Sequence, residues 1–181
     1  MKKILDNSAV SSLGKEITSI DALGIVSSEY EILLTNSVLR ECKNLGDNAL
    51  FNRVSKYPLA VKEDLRFKNL TEAIGRINFR LGPGEINTIA ASIILSSQNI
   101  DNYVVIDESL ARKIVKTIHT NPNITEIMGC KISPVNCTGT IGIVAHLRDK
   151  GILSKEMTQK IAYDLEVSNF RVTDDLLNIL R

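Results

Sequence analysis

The chain has 181 residues, 44% hydrophobic and 24% charged, with 10 Gly and 4 Pro, which suits one globular domain spanning 1–181. A net charge of +1 nominates no polyanionic partner by itself. An aromatic content of 4% without Trp excludes a binder built chiefly on stacking platforms.

In chain order, short apolar runs followed by polar residues predict strands at Lys3 to Leu5, Glu31 to Leu34, Tyr103 to Ile106 and, more weakly, Lys131 to Val135. Helical spacing fills the intervals. Ala22, Ile25 and Val26 form one apolar stripe, opened by Thr18-Ser19-Ile20-Asp21 as a capping box. Val38 and Leu39 start another helix after Thr35-Asn36-Ser37. The region 47–81 reads as an amphipathic helical insertion interrupted at Pro58. Between Arg53 and Arg80 it carries seven bases against three acids, a local excess of four that is a solvated face or a phosphate contact.

Gly82-Pro83-Gly84 punctuates, and "EINTIAASIILSS" then runs as a buried helix, followed beyond the third strand by "SLARKIVKTIH". "TGTIGIVAHLRDKG" starts on Thr138 and closes on Gly151 as a C-terminal cap. "SKEMTQKIAYDLEVS" and "TDDLLNIL" complete the helices. Strands alternating with helices predict an α/β fold, a three-layer α/β/α sandwich around a mostly parallel sheet.

Cys42, Cys130 and Cys137 are odd in number and form no CxxC, so buried free thiols in a reducing cytosol are expected. Cys130 and Cys137 lie between His119 and His146 at spacings that match no common zinc pattern. Met1-Lys2-Lys3 opens like a signal peptide until Asp6 breaks it, and no apolar run nears the ~18 residues of a membrane span. The expected location is cytoplasmic, away from membranes.

Four acids stand out. Asp6 and Asp107 end predicted strands, which in a parallel sheet brings both to the carboxyl edge where such folds build sites. Glu41 lies on the helix after the second strand, and Glu85 opens the helix after Gly84. Singly, each has a plain role: Asp6 or Asp107 as cap of the following helix, Glu85 as partner of a helix dipole, Glu41 as a solvated side chain. Together in a cleft they would repel one another unless they took up protons or bound cations. Oxygen ligands without His or Cys select Mg²⁺ or Mn²⁺, the ions that hydrolyse phosphodiesters. "GPGE" is not a P-loop, and neither His has an evident catalytic setting.

The blocks "ILDNSAV", "LTNSVLRE", "GPGEINTIAAS", "YVVIDESLAR" and "CTGTIGIVAHLRDKGIL", in this order, resemble the PIN-domain family, in particular a prokaryotic branch with GExxxIA, ID[DE]xxAR and GTxG blocks. The resemblance implies an α/β/α nuclease that depends on Mg²⁺ or Mn²⁺ and acts on RNA, many relatives being toxins of type II toxin–antitoxin pairs. It puts the family acids on Asp6, Glu41, Glu85 and Asp107, with Glu108 taking the fourth place if the alignment shifts by one. Ser8 becomes the polar residue that orients ligand or water, and Arg112 meets phosphate or pairs with an acid. Thr138, Gly139, Thr140 and Gly142 cap and closely pack a helix. An antitoxin protein and a homodimer are common in the family, and no sequence feature demonstrates either. The stretch from Lys113 to Asn136 is longer than this branch carries. A non-catalytic module that binds RNA or protein on the same fold, and a small-ester phosphatase, are the rival readings; "DNS" lacks the second acid of a DxD phosphatase motif.

Overall fold

The computed structural model describes residues 1–168, 170 and 172–181. Its centre is a four-stranded sheet of order β2-β1-β3-β4, comprising β1 (Lys2–Leu5), β2 (Glu31–Leu33), β3 (Asn102–Val105) and β4 (Asn136–Thr138). All pairings are parallel, with Ile4 opposite both Leu33 and Val104. The fold is therefore α/β, as the alternation of strands and helices predicts.

Period-two alternation sends successive residues to opposite layers. Ile4, Leu33, Val104 and Ile106 enter a core with helices α5 (Leu65–Ile77), α6 (Pro83–Ser97), α7 (Ser109–Thr117) and α8 (Pro122–Met128). Leu5, Ile32, Leu34 and Val105 enter the other core, against α1 (Asn7–Ser11), α2 (Ala22–Glu29), α9 (Thr140–Asp149) and α10 (Lys155–Val167). Each fully buried Ile or Leu stabilises this arrangement by about 1.5–3 kcal/mol. Among the described residues no helix is long and apolar enough to cross a membrane.

Helices α3 (Asn36–Asn44) and α4 (Asn48–Val54) follow β2, and α11 (Asp174–Asn178) ends the chain. The 47–81 region splits into α4 and α5 around an extended segment at Pro58. There Leu34 N–H donates to the Pro58 carbonyl at 3.1 Å and Ala60 N–H to that of Leu34 at 2.8 Å, so the segment bridges the end of β2.

Several local expectations need correction. The fourth strand falls at Asn136–Thr138 rather than Lys131–Val135, because pairing with Tyr103 to Val105 outweighs the apolar pattern of the preceding loop. Thr138 ends that strand, and α9 starts at Thr140. Asp21 alone caps α2, accepting from Gly24 N–H at 2.9 Å, whereas Thr18 and Ser19 donate their backbone N–H groups to the buried carboxylate of Asp164 on α10. Of the thiols, Cys42 is buried, Cys137 half-buried and Cys130 exposed, since Cys130 follows the left-handed Gly129 that ends α8.

Two of the connections place the site. The chain runs from β1 outward to β2, then crosses back to β3 on the other side of β1. Strand order therefore reverses between β1 and β3, and their carboxyl ends diverge into a crevice. Asp6 and Asp107 stand at that point.

A candidate carboxylate-lined active site

Asp6, Glu41, Glu85, Asp107 and Glu108 all line one cleft of about 480 Å³, with Ser8 and Ser12 on its wall. Asp6 is 2% exposed, and its backbone N–H still donates to the Val105 carbonyl, extending the sheet by one residue. It is also the cap of α1: Oδ1 accepts from Ala9 N–H at 2.8 Å, and Ser8 Oγ lies 2.8 and 2.9 Å from its two oxygens. The plain capping role and a place in the cleft thus coincide in one side chain.

Asp107 does not cap the helix that follows it. Glu108 takes that position, accepting from Leu110 N–H, because α7 begins one residue later. Asp107 instead reaches across to α9, where Thr140 N–H donates to Oδ1 at 2.7 Å and Thr140 Oγ1 to Oδ2 at 2.6 Å. Ser12 Oγ lies 3.4 Å from Oδ2 and 3.1 Å from Thr140 Oγ1. Glu85 folds back to accept from Gly82 N–H at 2.7 Å, closing the first turn of α6. Glu41, half-buried rather than solvated, accepts from Gly84 N–H at 2.8 Å, which ties α3 to the start of α6.

Burial sets the electrostatics. It pushes the Asp6 carboxyl up to about 7 against the pull of Ala9 N–H and Ser8, and the charges of Asp107 and Glu85 push the same way. Asp107, Glu41 and Glu85 are also raised, each mainly by burial, and Glu85 further by the charges of Glu108 and Glu41. Among the described residues, no Lys or Arg lines the cleft.

The bases named from the sequence lie elsewhere. Arg112 Nη1 donates to the carbonyls of Ile106 at 3.1 Å and Asp107 at 2.7 Å, bracing the end of β3. It lines a neighbouring pocket of about 280 Å³ behind Asp107, not the carboxylate cleft. Arg53 pairs with Asp21, and Lys56, Lys62, Arg66, Lys68, Arg76 and Arg80 are exposed away from the cleft wall.

Thr140 and Ser12 are site residues that sequence reasoning missed. Thr140 sits in a block read as a helix cap and packing device, and Ser12 lies one helical turn after Ser8, the single periodic hint available. Gly139 shows why the block is small: a Cβ there would stand 2.7 Å from Asp107 Oδ1 and 3.1 Å from Arg112 Nη1. Gly139→Ala is expected to dislodge Asp107 from Thr140 and to lower any activity of this cleft at least tenfold. The helix content should be unchanged, and circular dichroism beside a rate measurement checks the pair.

In kind, the donors fit a hard divalent cation, since they are carboxylates with lone pairs to spare and, among the described residues, neither imidazole nor thiol lines the cleft. In placement, no three His, Cys, Asp or Glu among the described residues stand close enough to grip one ion together. No protein-family model, curated protein or solved structure matches the chain.

Proposed function

We propose that this chain is a Mg²⁺- or Mn²⁺-dependent endoribonuclease of PIN type acting in the cytoplasm. The observation that supports it most is the convergence of carboxylates from four separate segments on one cleft. Asp6, Glu41, Glu85 and Asp107, with Glu108 at their side, would hold the ion. When bound, it supplies an activated water and charge stabilisation for in-line phosphodiester hydrolysis.

The chain's own groups orient the acids. Ser8 and Ala9 N–H fix Asp6, Thr140 and Ser12 fix Asp107, Gly82 N–H fixes Glu85, and Gly84 N–H fixes Glu41. Such pre-set hydrogen bonds keep reorganisation low when charge develops. RNA as the substrate rests on the five sequence blocks that resemble the PIN family, not on the cleft chemistry.

Incubation with single-stranded RNA should give cleavage in Mn²⁺ that falls about 10³-fold in EDTA, the loss of several kcal/mol of metal-derived stabilisation. Small phosphate esters should not turn over. Equal rates with and without EDTA would remove the metal from the reading.

A further inference from the structure

On the α9 face of the sheet, Lys3 of β1 and Tyr103 of β3 are direct register partners. Lys3 is 4% exposed, and its Nζ lies 3.9 Å from the centre of the Tyr103 ring and 4.8 Å from that of Tyr30. A second ammonium, Lys150, approaches the Tyr30 ring at 5.1 Å, and His146 stacks on it at 6.5 Å between centroids. Tyr30 is 5% exposed, and its buried hydroxyl has no hydrogen-bond partner among the described residues. Lys3, Tyr30, Tyr103, Thr138 and His146 line a cavity of about 160 Å³ that shares no residue with the carboxylate cleft.

The charge here is unanswered. Neither Lys3 nor Lys150 has an ion-pair partner among the described residues. Asp101, exposed at the start of β3, is the carboxylate whose field favours the Lys3 charge, while burial and Lys150 oppose it. Aromatic faces recover only about 1–2 kcal/mol of the desolvation of such an ammonium. A buried cation beside an unpartnered hydroxyl is stabilised by an anion that meets both.

We infer that this cavity is a phosphate-group site, with Lys3, His146 and the Tyr30 hydroxyl as its donors and Lys150 adding positive charge from outside the lining. An ammonium, an imidazole and a hydroxyl converging on one cavity match the four oxygens of a tetrahedral oxyanion better than the two of a carboxylate. The volume is several times the ~30 Å³ a water occupies in the liquid, so the group fits with solvent to spare. The site is independent of the nuclease reading. Its phosphate comes either from the free ion or from the end of an oligonucleotide.

The test uses the full chain without divalent ions, at constant ionic strength, by thermal unfolding and titration calorimetry. Inorganic phosphate at a tenfold excess over its Kd should raise Tm by about 3 °C. Lys3→Met should weaken binding at least tenfold, and Tyr30→Phe, which removes only a hydroxyl, about threefold. A 5′-phosphorylated trinucleotide that binds where its 5′-hydroxyl counterpart does not assigns a terminal phosphate; binding of the free ion alone assigns that. No binding by either, or equal binding in the wild type and both variants, overturns the site. Should Lys3→Met fail to fold, Tyr30→Phe decides.

Discussion

Asp6→Asn is expected to abolish divalent-dependent cleavage, a loss of about 10³-fold or more, while making the metal-free protein more stable. Both effects have one origin. The carboxylate is 2% exposed, and its pKa is raised to about 7 by burial first and by Asp107 and Glu85 after that. At pH 8 the folded chain therefore carries a charge it solvates poorly. An amide keeps the shape, and its oxygen still accepts from Ala9 N–H, so the cap of α1 survives. Removing the charge should stabilise the fold by on the order of 2–4 kcal/mol at pH 8, the free energy of about two to three pK units. Chemical denaturation at pH 8 reads the stability, and an RNA cleavage assay in Mn²⁺ reads the activity. A variant that cuts as fast as the wild type removes Asp6 from the machinery; one that is strongly destabilised shows that its charge serves the fold.

A stability profile against pH should be inverted relative to that of most proteins. A raised carboxyl pKa means that the folded state binds more protons than the unfolded chain between the two values, so stability falls as pH rises. For Asp6 the window runs from the ordinary value of 3.8 to about 7, and Glu41, Glu85 and Asp107 shift in the same direction. Lys3 acts oppositely at higher pH. Its ammonium is lowered from 10.5 to about 8, so stability recovers between those values as the unfolded chain holds the extra proton. Metal-free protein should thus be least stable near pH 7–8. Below 3.8, Asp164, held under its ordinary value by the Ser19 and Thr18 bonds that outweigh its burial, loses its contribution. Mn²⁺ should raise Tm by several degrees at pH 8 and far less at pH 5, where protons occupy the carboxylates the ion needs. Urea midpoints at half-unit pH intervals, with EDTA and with Mn²⁺, measure both curves. A metal-free profile that climbs steadily from pH 4 to 7 contradicts the buried-acid account.

Local pattern carried much of this architecture. Runs such as Val104-Val105-Ile106, set between helical stretches, are legible as buried parallel strands because both faces need apolar side chains. An acid at the end of such a run is legible as well, since it breaks the apolar pattern. The cap that Asp6 makes was legible too, whereas the partner of Asp107 was not. Asp6 caps its own helix, a contact made within three residues, whereas Asp107 bonds to Thr140, 33 residues onward. Short-range hydrogen bonds leave a spacing in the chain; long-range ones leave none.

The same limit hid the edge of the sheet, the brace and the cage. Lys131 to Val135 has strand composition, yet pairing begins at Asn136, where register with Tyr103 fixes it. Arg112 reads as a phosphate ligand or the partner of an acid in sequence and is drawn to the carbonyls of Ile106 and Asp107 in the fold. Lys3 reads as the first residue of a predicted strand. Only when β1 lies beside β3 and α9 covers both is its ammonium enclosed by Tyr30 and Tyr103. The residues alone determined the alternation of strands and helices and the acids at the strand ends, because period and propensity act over a few positions. Tertiary structure decided which charges are buried together and which donors answer them, because solvation and hydrogen bonding depend on neighbours the chain brings in from far away.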